Sequence, residues 1–471
     1  MVFSAPAFLF LFLPISLVLT TISPRPARNI VLLLLSMAFY VWGAGGQIAV
    51  IGSVALASWV GALVVGRETL SARTRKIAFL LTLAVVLLPL LTFKYWPITS
   101  EFLSSAGVPL RPVDPLNILL PLGISFFTFH AISYLVDVRR GDIPPETGVI
   151  RYALYLFLYP HQIAGPIVRY AEIRDEIQNP RHPTSEMALF GMSRFAWGLF
   201  KKAFVADSCA SVADSVYALD PARLNGPTAW LGALAYALQI YFDFSGYSDM
   251  AIGLAAMLGF HFPENFKGPY RSVSVTEFWR RWHVTLSRWF RDYVYIPFGG
   301  NRHGTAREYT GLILTFGLTA LWHGAAWTFL AWGALHSAAL LFERITGLRK
   351  VQGWVAARRI GMVVFILMSW VPFRSTTMGQ ATDIWSAMIR GGWGPVRPEV
   401  LVTLSPWVLA ALLLGCSTFL LPKVGTGYER VVGSVTAVRP VVALAITVTA
   451  LPLAILAVFW IDFSPFLYFR F

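Results

Sequence analysis

The stretch VVALAITVTALPLAILAVFWI (441–461) contains no charged side chain over 21 residues. An α-helix of about 20 apolar residues spans the hydrocarbon layer of a bilayer. Comparable apolar runs occur at 5–22, 48–66, 77–93 and 404–421. A transmembrane β-barrel would show alternating segments of about ten residues instead. The sequence therefore predicts an all-α polytopic membrane protein.

The charge of the chain follows the predicted spans. Only 13% of the 471 residues are charged, yet the formal net charge is +14. The connections 24–28, 67–76 and 137–151 are basic, whereas 43–47 and 97–116 carry no positive excess. Cytoplasmic connections are enriched in Lys and Arg. We therefore attribute the net charge to topology rather than to nucleic-acid binding, and we expect the N-terminus outside the cytoplasm.

One apolar segment is interrupted in a way that ordinary spans are not. Pro160, Gly165 and Pro166 fall within 155–177. A broken helix at membrane depth persists only where protein or a water-filled cavity shelters the freed backbone groups. We expect such a break here.

A second unusual segment, 272–302, combines aromatic and basic residues. Ser274 and Glu277 fit a capping box at a helix start. An aromatic stripe then follows at helical spacing: Trp279, His283, Leu286, Phe290 and Tyr293. A second stripe carries Arg281, Arg288 and Asp292. The spacing predicts one amphipathic helix at the membrane surface, partly sunk among other helices.

A histidine lies near the middle of the apolar run LTFGLTALWHGAAWTFLAWGALH (314–336). Ionisable residues within a membrane usually face the bundle interior or a wet cavity. Burial favours neutral imidazole, the form required of a general base. Gly317 and Gly324 offer room for a close neighbour or ligand. His323 is thus a candidate base, with a hydrogen-bonded packing histidine as the alternative. We expect no metal, because no carboxylate or thiol accompanies it.

The segment YFDFSGYSDMAIG (241–253) places carboxylates and hydroxyls between apolar flanks. Asp243 with Tyr247, and Ser245 with Asp249, stand four residues apart and are able to bond along a helix. Arg280 and Arg281 are candidate partners for the two carboxylates. A structural network and a substrate contact both remain open.

These residues together resemble a known family. FWRRWHVTLSRWFRDYVYIPFGGNR (278–302), LWHG (321–324), YFDFSGYSDMAIG and ENFKGPY (264–270) are similar to motifs of the membrane-bound O-acyltransferases. LPLGISFFTFHAISYLVDVRRGD (120–142) and HQIAGPIVRY (161–170) resemble the family's bacterial alginate O-acetyltransferase branch. The resemblance implies a helical bundle with a central funnel and interfacial or re-entrant helices.

The resemblance also implies roles for residues. His323 matches the essential histidine, and His283 matches a second conserved polar position. Candidates for lining the funnel are Asp243, Ser245, Tyr247, Asp249, Asn265, Trp279, Arg280 and Trp322. His303 is not carried over as functional.

The implied activity passes acetyl groups across the bacterial inner membrane to a polysaccharide outside. Acetyl-CoA would be the donor substrate, and no bound cofactor is expected. A periplasmic acetyltransferase of the serine-nucleophile (SGNH) type would be the partner. The sequence does not identify the polysaccharide.

The segment FSPFLYFRF (463–471) resembles a C-terminal aromatic motif of this branch. We divide the chain into a transmembrane domain, 1–462, and this extracytoplasmic motif, 463–471, because the basic connection 422–440 is expected in the cytoplasm. A phenol has a pKa of about 10, near the thiol value of about 8.5. An ester on Tyr468 would therefore retain much of a thioester's acyl-transfer potential. Tyr468 is a candidate acyl carrier, with interfacial anchoring or direct transfer as alternatives.

A protein of another class would also suit some of these features. A saccharide or acyl transporter or flippase without chemistry would also use a broken helix and a membrane-embedded histidine. A scaffold that recruits an external transferase is a third possibility. Release of free coenzyme A would distinguish an enzyme from both.

Overall fold

The computed structural model describes residues 2–105, 107–108, 120–302, 304–348, 353–420, 433–434, 437–461 and 466–467. Helices account for most of these residues. Strand structure among them is limited to the antiparallel pair Gly433–Ser434 and Ala437–Val438, β1 and β2. The all-α prediction is confirmed. The chain divides into two compact units: Met1–Met192 with Ala251–Pro263, and Ser193–Met250 with Glu264–Phe471.

The first unit contains nine complete helices among the residues that the structure describes. They are α1 (Leu13–Ile22), α2 (Arg28–Ala44), α3 (Ile48–Val65), α4 (Ala72–Leu90), α5 (Trp96–Ser105), α6 (Ile124–Arg140), α7 (Val149–Phe157), α8 (Tyr159–Gln162) and α9 (Tyr170–Gln178). Short π-helical or 3-10 turns adjoin them at Phe8–Phe12, Arg25–Ala27, Gly45–Gln47 and Leu91–Tyr95. Two further helices, α10 (Ser185–Phe200) and α12 (Gly226–Met257), contribute residues to both units.

The second unit contains the remaining described helices. They are α11 (Asp207–Tyr217), α13 (Val275–Arg281), α14 (Val284–Phe290), α15 (Thr305–His323), α16 (Trp327–Ile345), α17 (Val355–Arg374), α18 (Met378–Arg390), α19 (Pro398–Leu401), α20 (Pro406–Leu420) and α21 (Pro440–Trp460). Short turns of π or 3-10 type lie at Lys201–Ala206, Pro221–Arg223, Pro269–Arg271 and Arg291–Tyr295.

The predicted apolar runs form helices. Within the described part of the chain, Arg25–Val65, Ala72–Tyr95, Val355–Arg374 and Pro440–Trp460 are long and apolar enough to cross a bilayer. Shorter apolar helices occupy Phe8–Ile22 and Pro406–Phe419. Large apolar side chains on α21, such as Leu456 and Phe459, are exposed on the protein surface. Such side chains are stable facing lipid tails rather than water.

The predicted break within 155–177 is confirmed. Helix α7 ends at Phe157, α8 covers one turn, and α9 begins at Tyr170. Gly165 adopts a φ of 105°, a conformation that glycine tolerates best. The hydroxyl of Tyr155 donates to the carbonyl of Val168 at 3.1 Å. A buried side chain thus satisfies a backbone group that the break would otherwise expose.

The loop between α6 and α7 is organised by one buried carboxylate. Glu146 accepts hydrogen bonds from the Arg151 guanidinium (2.8 Å), the Tyr170 hydroxyl (2.6 Å), the Gly148 N–H (2.7 Å) and the Gln178 amide (3.1 Å). Burial raises the pKa of this carboxyl, but these donors outweigh burial and lower it to about 2. Donors from α7 and α9 therefore converge on a carboxylate that stays ionised.

We expect Glu146→Gln to lower the stability of the protein by about 2 kcal/mol at neutral pH, because charge-assisted hydrogen bonds are lost in a buried place. The folded pKa is depressed, so this stabilisation is complete above the ordinary value of 4.5 and declines as the pH falls toward 2. Thermal unfolding in detergent at pH 7 and at low pH measures both effects.

Asp142→Asn, at an exposed position in the same loop, is the matched control. An equal loss of stability in both variants would contradict a special role for Glu146.

Candidate active site

The helix that carries Trp279 begins at a cap supplied by Ser274 and two glutamates. The Ser274 hydroxyl accepts from the Glu277 N–H at 3.0 Å, as predicted for a capping box. The Glu277 carboxylate accepts from the N–H of Val273, one residue earlier than the motif requires (2.9 Å). Glu343 of α16 accepts from the N–H groups of Val275 and Thr276. This carboxylate fixes α13 against α16 and so positions Trp279.

The prediction of one continuous helix over 272–302 is wrong at His283. The chain leaves the helix after Arg281, and His283 adopts a left-handed conformation with φ 41° before α14 begins at Val284. Non-glycine residues rarely occupy this region. The side-chain oxygen of Asn265 stabilises the turn, because it accepts from His283 Nδ1 (3.0 Å) and from the Thr285 hydroxyl (2.9 Å).

This hydrogen bond selects the tautomer of His283. The Asn265 side-chain oxygen also accepts from the Thr285 N–H (3.3 Å), while its amide nitrogen donates to Ser248 (3.0 Å). The atom facing His283 is therefore an acceptor, and Nδ1 must carry a hydrogen. In the neutral ring, Nε2 then carries the lone pair. His283 is 1% exposed.

His323 lies at the end of a helix. Its place in the apolar run 314–336 had suggested the middle of one. Helix α15 stops at His323, and α16 starts at Trp327. A Cβ on Gly324 would lie 2.5 Å from the Phe329 ring, so glycine permits the close approach predicted for it. At Gly317 no described heavy atom lies within 4 Å of that position.

Aromatic rings surround His323, which is 3% exposed. Its ring centroid lies 4.7 Å from that of Trp322, 4.8 Å from Phe373 and 5.2 Å from Trp332. The Trp322 ring also lies 6.1 Å from the His283 ring. The structure thus brings both predicted catalytic histidines against one indole, in surroundings that exclude water and strengthen local electrostatics.

The predicted arginine partners of the two aspartates are wrong. Asp243 pairs with Lys202 at 2.9 Å, and Asp249 pairs with Lys201 at 2.8 Å and Arg194 at 2.8 Å. Arg281 pairs with Glu277 on its own helix, and Arg280 lines a cavity. The prediction failed because it considered only the arginines of the 272–302 segment, whereas the partners come from α10 and the turn that follows.

A close helix contact supports these ion pairs. A Cβ on Gly198 of α10 would lie 2.5 Å from the Gly246 carbonyl, and a Cβ on Gly246 would lie 2.7 Å from the Gly198 carbonyl. Small residues allow membrane helices to approach this closely. The contact brings Lys201 and Lys202 beside α12.

Two further acids complete this network. Lys202 also pairs with Asp207 at 2.5 Å, and Arg194 holds Glu264 at 2.5 Å. Sequence reasoning missed the two lysines, although adjacent cations inside the apolar stretch FAWGLFKKAFVA (195–206) are a recognisable signal of an intramembrane site.

The described part of the C-terminal segment lies in the same unit. Tyr468 itself is outside the described residues. Phe466 and Leu467, which precede it, are 2% and 3% exposed. The Leu467 N–H donates to Asp243 Oδ2 at 2.8 Å. The Phe466 ring stacks on Tyr247 with centroids 4.5 Å apart.

These rings continue to the histidine. Phe466 lies 5.9 Å from Phe244, and Phe244 meets the His283 ring edge-on at 4.6 Å. Ser245, which follows Phe244 on α12, is also buried. Among the predicted lining residues, Asp243 and Tyr247 thus contact the segment directly. Contact of any of them with substrate stays a prediction.

A cavity of about 490 Å³ opens among α13, α14, α15 and α16. Its lining includes the predicted residues Trp279 and Arg280 and three further arginines: Arg288, Arg291 and Arg344. Apolar side chains such as Leu286 and Phe316 share the wall, and Thr319 lies one helical turn before His323 on α15. The Trp279 indole donates to His336 Nδ1 at 3.2 Å. The cavity therefore combines cationic groups with an apolar surface.

The comparisons with known proteins agree with this architecture. Residues 116–377 match the model of the membrane-bound O-acyltransferase family. The chain is 44% identical over 401 residues to the probable alginate O-acetylase AlgI of Pseudomonas putida, covering 83% of this chain and 81% of the relative. It is 32% identical over 432 residues to the peptidoglycan O-acetyltransferase of Helicobacter pylori, covering 83% and 80%.

A more distant relative is the teichoic acid D-alanyltransferase of Bacillus subtilis, with 26% identity over 297 residues, 60% of this chain and 72% of the relative. The family match spans both buried histidines, the α12 aspartates and the arginine-lined cavity. The chain belongs to the membrane-bound O-acyltransferase family and is an acyltransferase.

Proposed function

We propose that this protein transfers acetyl groups from acetyl-CoA in the cytoplasm to an acceptor outside the bacterial inner membrane, with Tyr468 as an intermediate carrier. The observation that carries the proposal is the burial of Phe466 and Leu467 within the ring cluster that includes His283. A segment that served only as a surface anchor would gain little from this burial. The residue that follows it in the chain is Tyr468.

The chemistry requires a base and a good acyl ester. His323 takes the proton of the Tyr468 hydroxyl as the oxygen attacks the thioester carbonyl. The new C–O bond forms, the C–S bond breaks, and the coenzyme leaves as a thiolate that recovers the proton from the imidazolium. The aryl ester remains reactive enough for a second transfer. The aromatic rings around His323 protect this ester from hydrolysis.

His283 has a different part in this proposal. With hydrogen on Nδ1 committed to Asn265, its Nε2 accepts a hydrogen bond. The pantetheine limb of the donor offers amide N–H groups to such an acceptor. His283 therefore orients the donor, while His323 moves the proton.

The arginine-lined cavity suits the rest of the donor. Arginine forms bidentate, charge-assisted bonds with phosphate oxygens, and coenzyme A carries phosphates at one end of a long, mostly neutral limb. Thr315, Phe316 and Thr319 of α15 line the cavity. Thr319 lies one helical turn, about 5.4 Å, before His323. This face of α15 therefore runs from the arginines toward His323.

For the acceptor, we propose an alginate-like exopolysaccharide. The alginate O-acetylases are more similar to this chain than are the peptidoglycan and teichoic acid relatives described above. A periplasmic acetyltransferase with a serine nucleophile would collect the group from Tyr468. In this proposal, both termini lie in the periplasm.

Intact-mass analysis after incubation with acetyl-CoA tests the relay. We expect wild type to gain one acetyl group on Tyr468. Tyr468→Phe should gain none there, and His323→Ala should react about 10² to 10⁴ times more slowly, because the base is lost. His261→Ala, at an exposed histidine, is the matched control and should behave as wild type.

Coenzyme A release without modification of Tyr468, even after rapid quenching, would show that acetyl passes directly to an acceptor.

Steady-state kinetics test the donor site. We expect Arg280→Gln and Arg288→Gln each to raise KM for acetyl-CoA by about tenfold with little change in kcat, since one phosphate contact is worth on the order of 1.5 kcal/mol. Acetyl-pantetheine lacks the nucleotide phosphates, so its KM should be the same in the variants as in wild type. Arg281→Gln removes a neighbouring arginine that pairs with Glu277 and should leave KM nearly unchanged. Equal KM values in wild type and Arg280→Gln would place the phosphates elsewhere.

A further inference from the structure

The contact between Asp243 and Leu467 joins residues 224 positions apart in the chain. Asp243 is one of the most buried carboxylates described, at 2% exposed. A carboxylate at such depth is costly unless its oxygens have partners. Lys202 Nζ forms an ion pair with Oδ1, and the main-chain N–H of Leu467 donates a hydrogen bond to Oδ2. The C-terminal segment thus completes the coordination of a buried charge.

We infer that Asp243, oriented by Lys202, is the positioning residue that docks Phe466 and Leu467, the residues before Tyr468, so that Tyr468 is acylated efficiently. This inference rests on the proposed relay through Tyr468. Asp243 does not touch the reacting atoms. It acts through the main chain of the residue before the carrier.

Two contacts make the dock directional. Leu467 is held by a polar contact at Asp243, and Phe466 by ring stacking at Tyr247, one helical turn further along α12. Successive residues of the segment therefore engage successive turns of one helix. A single contact would leave the segment free to pivot, whereas two fix the direction of the chain at Phe466 and Leu467.

The orientation of Asp243 is itself fixed. Lys202 lies between Asp207 at 2.5 Å and Asp243 at 2.9 Å, so its ammonium is held from both sides. An ammonium only donates hydrogen bonds. Its pairing with Oδ1 of Asp243 leaves Oδ2 to the main-chain donor of the segment.

The isosteric variant Asp243→Asn tests the dock from the side of the helix. The single amide oxygen turns toward Lys202, so the NH₂ group faces the Leu467 N–H, and two donors oppose each other. We expect amide hydrogen exchange of the segment 463–471 to rise to the rate of an unprotected peptide. We also expect acetylation of Tyr468 to slow on the order of tenfold or more.

Asp249→Asn is the matched control, because it removes a charge from the same helix where the partners are Lys201 and Arg194. It should leave exchange of the segment unchanged. Exchange of α10 and α12 peptides, measured in the same experiment, separates release of the segment from general loosening of the helices.

Leu467→Pro tests the dock from the other side and does not alter the helices. Proline has no N–H to donate, whereas Leu467→Met keeps both the donor and the side-chain volume. We expect the proline variant to lose the protection of Phe466 against amide hydrogen exchange and to lose acetylation of Tyr468. The methionine variant should retain both.

The two proposals fail separately in this experiment. Unchanged protection of the segment in both Asp243→Asn and Leu467→Pro would overturn the dock. A wild-type segment that is protected but never carries acetyl would overturn the relay through Tyr468.

Discussion

The ion pair between Lys202 and Asp243 is the interaction on which the candidate site depends. Both side chains are buried, so each must find its counter-charge within the protein. Their pairing connects the turn after α10, helix α12 and the C-terminal segment in one contact set. Removing Lys202 would leave the buried carboxylate of Asp243 without its cation, at a cost of about 3–5 kcal/mol, whereas removing Asp243 would leave Lys202 paired with Asp207. The placement of functional groups and the stability of this unit are therefore linked.

The membrane-spanning helices were predictable because an apolar run of sufficient length is a local property of the chain. The burial of His323 was predictable for a similar reason, since a titratable residue in an apolar run stands out by itself. Interrupting Pro and Gly residues predicted the broken segment around His161, and carboxylates between apolar flanks marked the charged segment of α12. The structure confirms the placement of these elements, and the comparisons confirm the family.

The misses share a physical cause: each depends on a residue distant in sequence. Helical periodicity through His283 was broken by the Asn265 side chain, 18 residues away. The partners of Asp243 and Asp249 were sought among the arginines of the 272–302 segment, whereas the actual cations lie on α10 and in the turn after it. Periodicity and charge counting describe one segment at a time. They do not register a cap or a counter-ion supplied by another segment.

The glycine contact between α10 and α12 has a consequence for register. Gly198 and Gly246 touch backbone to backbone, and Lys202 and Asp249 lie directly beside the crossing. A slide of one helical turn along either axis would move these groups by about 5.4 Å, nearly twice the 2.9 Å length of the Lys202–Asp243 pair. No partially shifted arrangement keeps both the close crossing and the ion pairs. The two glycines therefore fix the register of α10 against α12. They allow the alignment that pairs the cations with the acids, and alignments shifted by one turn are excluded by steric clashes alone.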